Sequence, residues 1–167
     1  MEYFDILKQD GSISGKIAPK GTELLEDEYY LGVHAYIHNS KGEFLLQKRS
    51  MKKEFLPGGW DIHMGHVMAG ETSKIAIKRE IKEELGIEVN NLKFLKQIVW
   101  EKHNHFIDMY ISCKDIDLSD LILQKSEVED VKYVPRDEMI DLIRSMDYRP
   151  KEYRDVIENY VREISSV

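Results

Sequence analysis

Glu80, Glu83 and Glu84 recur at spacings of three and four, with Arg79 beside them and Glu71 upstream. On a helix turning about 100° per residue, the three carboxylates share one face. Like charges so placed repel by a few tenths of a kcal/mol per pair. Lys74, Lys78 and Lys82 project away from them. Taken alone, this is a solvated face with Arg79 paired to Glu83. The chemical reading is a carboxylate cluster for a hard divalent cation. Mg²⁺ takes oxygen ligands from a few carboxylates, from water and from substrate phosphates. Crowded carboxylates also raise one another's pKa until cations neutralise them, so metal dependence is expected.

Other residues could serve such a site. Arg49, after Lys48 at the end of a strand-like run, could fork onto phosphate; a solvated strand end is the plainer alternative. His63 and His66 flank Gly65 and are candidates for phosphate contact. Glu127, with Glu129, precedes another strand and is the favoured extra carboxylate, against an ordinary exposed loop residue. His103 and His105 would share one side of a strand and line the pocket, with no third ligand for a soft metal. Trp60, after Pro57-Gly58-Gly59, could stack on a base or pack in the core. Cys113, in an apolar strand, reads as a buried small hydrophobe.

These residues need elements to hold them. The clearest strand is Tyr30 to His38, where Leu31, Val33, Ala35 and Ile37 alternate with Gly32, His34, Tyr36 and His38. Turn residues Asn39 to Gly42 lead to a returning strand, Glu43 to Arg49, and a short segment follows from Trp60 to Met64. Glu71 to Leu85 is the clearest helix, with Thr72 or Ser73 as N-cap, Gly86 at its end and a stripe of Ile77, Ile81 and Leu85. Strands are expected at Leu92 to Trp100, Phe106 to Cys113 and Asp130 to Val134. A helix follows Pro135, and the segment 151–167 forms a last helix, about Lys151 to Ile164. Residues 1–28 read as an extended lead-in with a hairpin-type signal at Asp10-Gly11. The layout is a single domain over 1–167 of mixed strands and helices, α/β (α+β) in class.

The 167 residues carry 24 basic and 31 acidic side chains, a net charge of −7. That length suits one domain with a real core. No apolar run approaches the ~20 residues of a membrane-spanning helix, so no membrane is expected. The acidic N-terminus and the single cysteine predict a cytoplasmic protein. The negative charge argues against a nucleic-acid polymer as partner. Small phosphorylated substrates stay open, because bound metal reverses the local sign.

From Gly65 to Ile87 the chain satisfies every specified position of G-x5-E-x7-R-E-U-x-E-E-x-G-U, U being a bulky aliphatic. A chance match in such a chain is on the order of one in ten million. This is the Nudix box, and the sequence resembles the Nudix hydrolase superfamily. The resemblance implies the Nudix fold, a mixed β-sheet in an α/β/α sandwich. It implies hydrolysis of a nucleoside diphosphate linked to another moiety, with Mg²⁺ (or Mn²⁺) as cofactor and a small-molecule diphosphate as substrate. The carbonyl of Gly65 and the carboxylates of Glu83 and Glu84 would bind metal. Glu80 would bind metal or activate water, while Arg79, paired with Glu71, orients the cluster. Exposed N-terminal strands in this fold can also build a homodimer.

Tyr3 to Leu7, Gln47 to Ser50 and Trp60-Asp61 look similar to the isopentenyl-diphosphate isomerase branch. Isomerases use a cysteine just before the Gly-His of the box region, where this chain has Met64, and usually carry a degenerate box. A non-catalytic nucleotide-binding Nudix domain is the other alternative, but such domains typically lose box glutamates, and all remain here.

Overall fold

The strand from Tyr30 to His38 (β3) is buried on both faces from Gly32 onward. Its odd residues Val33, Ala35 and Ile37 are fully apolar, and its even residues carry His34, Tyr36 and His38. A strand so covered must lie between two layers. In the computed structural model, which describes residues 1–164, those layers are helices. Preceding β3 are β1 (Tyr3–Leu7) and β2 (Ile13–Pro19); following it are β4 (Phe44–Arg49), β5 (Trp60–Asp61) and β6 (His63–His66). Then come α1 (Ser73–Leu85), β7 (Lys93–Trp100), β8 (His105–Cys113), β9 (Val128–Val134), α2 (Arg136–Ser145) and α3 (Lys151–Glu163). Residues 165–167, the end of the expected last helical segment, lie outside the described residues.

Seven strands form one mixed sheet in the order β5-β4-β3-β8-β7, with β6 also paired to β3 and β9 to β4. β3 and β8 run parallel along their full length, and the other pairings are antiparallel. On one face, Val33, Ala35 and Ile37 pack with Ala76, Ile77, Ile81 and Leu85 of α1. On the other, Tyr36, Ile107 and Met109 pack with Met139, Ile143, Tyr153 and Ile157 of α2 and α3. This is the mixed sheet between helical layers that the resemblance implies. No helix among the described residues is long and apolar enough to cross a membrane.

Helix α1 begins later than its charge pattern suggests. The Thr72 hydroxyl accepts from the amide of Ile75 and caps the helix, which leaves Glu71 outside it. Gly86 ends the helix at φ 72°, its amide donating to the Lys82 carbonyl. β9 starts at Val128 rather than Asp130, since Val128 still pairs with Arg49 across a shift in register after Lys48.

The N-terminal lead-in is a hairpin, β1 with β2, forming its own two-stranded sheet. It grips the loop ahead of α1: the amide of Ala69 donates to the Tyr3 carbonyl at 2.8 Å, and that of Gly70 to Asp5 Oδ2 at 3.0 Å.

Candidate active site

Arg79 resolves the repulsion among the glutamates of α1. Its Nε and Nη2 donate to the two oxygens of Glu71 at 2.8 and 2.9 Å, and its Nη1 donates to Glu80 Oε1 at 2.9 Å. The same Nη1 reaches Glu83 Oε2 at 3.5 Å, and Nη2 also donates to the His66 carbonyl at 3.1 Å. One guanidinium thus fastens α1 to both ends of the preceding loop. It lowers the pKa of Glu71 by direct hydrogen bonding. The plainer pairing of Arg79 with Glu83 is the longest of these contacts.

Burial sorts the other carboxylates. Glu83 is half exposed, whereas burial raises the pKa of Glu80 against the pull of Arg79. Glu84 is only 6% exposed, and its Oε2 is buried with no hydrogen-bond partner. Desolvation first, then the charge of Glu80, pushes its pKa up to about 8. Gly65 explains why the loop opens on glycine: a Cβ there would lie 2.3 Å from Glu80 Cγ.

A cavity of about 330 Å³ adjoins this cluster and includes Gly65 and Glu84 in its lining. Arg49 and Lys53 bring positive charge to it, and Phe55, Met64, Trp100 and Ile107 supply apolar walls. Arg49 is held by its Nε donating to the Phe55 carbonyl at 2.8 Å, with its guanidinium 5.5 Å from that residue's ring. Four imidazoles also line the cavity, those of His34, His66, His103 and His105. His66 and His105 meet Nε2 to Nε2 at 2.9 Å, and His105 Nδ1 donates to the His103 carbonyl at 2.6 Å. Burial pushes His66 down to about 4 and lowers His105 as well.

Of the residues singled out in the sequence, Gly65, Glu84, Arg49 and His66 meet in this cavity, as do His103 and His105. Arg79, Glu80 and Glu83 stand beside it in the arginine cluster. His103 lies in a single 3-10 turn before β8 rather than on the strand, and Asn104 between the histidines takes a left-handed conformation. Trp60 does not line the cavity: its ring lies beneath Lys132 Nζ at 4.3 Å and packs against the core. Glu127 pairs with Lys53 instead of facing the cavity. His63 is 1% exposed and lies 3.2 Å from Gln47 Oε1, so it is a core residue rather than a phosphate contact. Cys113 is exposed, not buried, because it ends β8 beyond the last residue paired to β7.

Sequence reasoning passed over Lys53, His34 and Arg149. Lys53 resembles its neighbour Lys52, and nothing local marks Arg149. His34 does carry a signal, a histidine on the central strand.

The family model described as the NUDIX domain matches residues 28–159. The chain belongs to the Nudix hydrolase family. The uncharacterized Nudix hydrolase lmo0368 of Listeria monocytogenes is 37% identical over 151 residues, covering 90% of this chain and 89% of that one. Isopentenyl-diphosphate Delta-isomerase of Citrobacter koseri is 29% identical over 92 residues, about half of each chain at 54% and 51%. That likeness agrees with the isomerase-like segments in the sequence. Among solved structures, DR0079 from Deinococcus radiodurans superimposes with a TM-score of 0.73 at 21% identity, covering 96% of this chain and 98% of its own. At that identity the agreement shows the Nudix fold.

The donor set suits a divalent cation. Glu84 offers a buried carboxylate oxygen lacking a partner, Glu83 an exposed carboxylate, and Gly65 lines the same cavity as Glu84. Among the described residues no three His, Cys, Asp or Glu side chains form a ready cage, and one oxygen of Glu80 is held by Arg79. Mg²⁺ needs no such cage, as it usually keeps waters and substrate oxygens around one or two carboxylates.

Proposed function

We propose that this Nudix hydrolase cleaves the diphosphate bond of a nucleoside diphosphate linked to another moiety, using Mg²⁺ or Mn²⁺. The observation that carries the reading is the partnerless Oε2 of Glu84, buried on a residue that lines the same cavity as Arg49 and Lys53. A buried acid held beside two cations suits a ligand that brings both metal and phosphate. Glu83, Glu84 and the Gly65 carbonyl, joined by Glu80, would hold the ion. When bound, it neutralises phosphate oxygens and lowers the barrier to attack by water.

The chain's own residues do the rest. Arg49 and Lys53 bind phosphate oxygens and fix the diphosphate in the cavity. Glu80, with its pKa raised by burial and one oxygen held by Arg79, takes the proton as water attacks. A new oxygen–phosphorus bond forms and the bridging bond breaks, with its electrons leaving on the departing phosphate. Arg79 acts through Glu80 and is a positioning residue. His66 lies beside Gly65 and orients phosphate from the imidazole side. Isomerase chemistry is disfavoured because Met64, with no proton to give, lines the cavity where isomerases place cysteine.

The test is a screen of nucleoside triphosphates, nucleotide sugars, dinucleoside polyphosphates and coenzymes with Mg²⁺ and Mn²⁺, with products identified by phosphorus NMR. Turnover that a chelator abolishes is expected. Absence of turnover across the set, or turnover indifferent to chelation, overturns the reading. Conversion of isopentenyl diphosphate to dimethylallyl diphosphate would point to the isomerase instead.

A further inference from the structure

His34 lines the cavity and is 6% exposed, yet it takes no part in the carboxylate cluster. Its Nδ1 lies 2.7 Å from the Tyr153 hydroxyl of α3, which lies 2.7 Å from the Tyr36 hydroxyl. Both tyrosines are wholly buried, and burial, reinforced by the charge of Arg149, keeps the imidazole neutral. The chain therefore holds two hydroxyl protons and one ring proton.

Only one direction of donation leaves no buried hydroxyl proton without an acceptor. With the ring proton on Nδ1, His34 would donate to Tyr153 and Tyr153 to Tyr36. The Tyr36 proton would then be buried without an acceptor, at a cost comparable to a lost hydrogen bond. In the opposite direction Tyr36 donates to Tyr153, Tyr153 donates to Nδ1, and the ring proton sits on Nε2. That nitrogen has no hydrogen-bond partner among the described residues. Nor is it among the described buried polar atoms lacking one, which are His63 Nε2, Glu84 Oε2, Arg149 Nε and Arg154 Nε. Nε2 is thus the ring nitrogen open to the cavity.

Its surroundings differ from those of the phosphate end. In the β3–β6 ladder His34 stands opposite Met64, one position beyond the Val33–Gly65 pair. Met64, Trp100 and Ile107 are apolar residues of the lining, as is Phe55, which lies against Arg49. The charge of Arg149 is already taken by both oxygens of Asp61, at 3.1 and 3.0 Å. In the hydrolase reading, phosphate charge would be met instead by Arg49, by Lys53, which shares its charge with Glu127, and by a cation held at Glu84.

We propose that His34 is a specificity-determining residue whose Nε2–H donates to an oxygen on the group carried beyond the diphosphate. It favours substrates whose second moiety bears a hydroxyl or carbonyl, such as a sugar or base, over those ending in a bare hydrocarbon chain. Tyr153 is the positioning residue that fixes the donating tautomer. The inference rests on the hydrolase reading above.

Nitrogen-15 NMR of the histidine rings reads the tautomer directly, and the Nε2-protonated form is expected for His34. Tyr153→Phe should mix the tautomers. With ADP-ribose and isopentenyl diphosphate as probes, His34→Phe should raise KM for ADP-ribose at least tenfold while kcat changes less than threefold. Turnover of isopentenyl diphosphate, where present, should stay within twofold. His34→Gln, which restores an N–H donor, should recover part of the ADP-ribose KM, and it covers the case in which the phenylalanine variant fails to fold. An Nδ1-protonated ring, an unchanged KM in both variants, or turnover confined to the hydrocarbon diphosphate overturns the proposal while hydrolysis itself stands. No hydrolysis of either probe or of any compound in the earlier screen removes the hydrolase reading and this inference together.

Discussion

Glu84 keeps a proton in the folded chain that it gives up when unfolded. Its carboxyl titrates near 4.5 in an ordinary setting and near 8 in the fold. Between those values the unfolded chain has released the proton that the folded chain retains. The metal-free fold therefore loses stability as pH rises through that window, by up to a few kcal/mol at about 1.4 kcal/mol per pKa unit. In chelator, Glu84→Gln should melt above the wild type near pH 8 and level with it below about pH 4.5; a gap that narrows with rising pH would contradict this. With metal and substrate the order reverses. Glu84→Gln and Glu83→Gln should each lower kcat by about 10²-fold or more while circular dichroism stays native, and near-normal turnover in both would sink the metal assignment. The box residues were legible because chemistry demands them at set intervals. Their unequal burial was not, since the half-exposed Glu83 and the buried Glu84 are neighbours of one type in the same helix.

A helix states its own limits more clearly than a strand does. The stripe of Ile77, Ile81 and Leu85, the Thr72 cap and the terminal Gly86 are local signals, and α1 follows them. Strand β3 alternates as though one face met water, yet both faces are buried. Its polar residues find partners on α3, where Tyr153 meets His34 and Tyr160 meets His38 at 2.8 Å. Those partners lie more than a hundred residues downstream, beyond any local pattern. Two glycines test how tightly α1 is seated. At Gly86 a Cβ would come within 2.9 Å of Ile122 Cβ, and the backbone is left-handed. Gly86→Ala should cost about 1–2 kcal/mol, read as a lower midpoint in urea. Gly65→Ala should displace Glu80 from Arg79 and cut kcat at least tenfold, with a smaller effect on melting. An alanine at position 65 that leaves turnover intact would show that Glu80 does not need its present seat.

Across the whole molecule, one buried ion pair ties distant parts together. Asp61 on β5 and Arg149, between α2 and α3, are both almost fully buried, and 88 residues separate them. Removing one partner of such a pair costs about 3–5 kcal/mol, so Arg149→Met should lower the thermal midpoint far more than a surface change such as Lys151→Met. An unchanged midpoint would mean that α3 seats itself without the pair. Neither residue was legible as a partner, because the pairing follows from how the helical layer folds back over the sheet. The N-terminal hairpin is similar. Its turn at Asp10-Gly11 was readable, but its hold on the amides of Ala69 and Gly70 was not. Those amides lie within the box, while Tyr3 and Asp5 precede the 28–159 span matched by the family. A graft of the matched span into another scaffold would carry all the box glutamates and leave behind two groups that shape their loop. Homology here marks what is inherited in common, and the working part extends beyond that boundary.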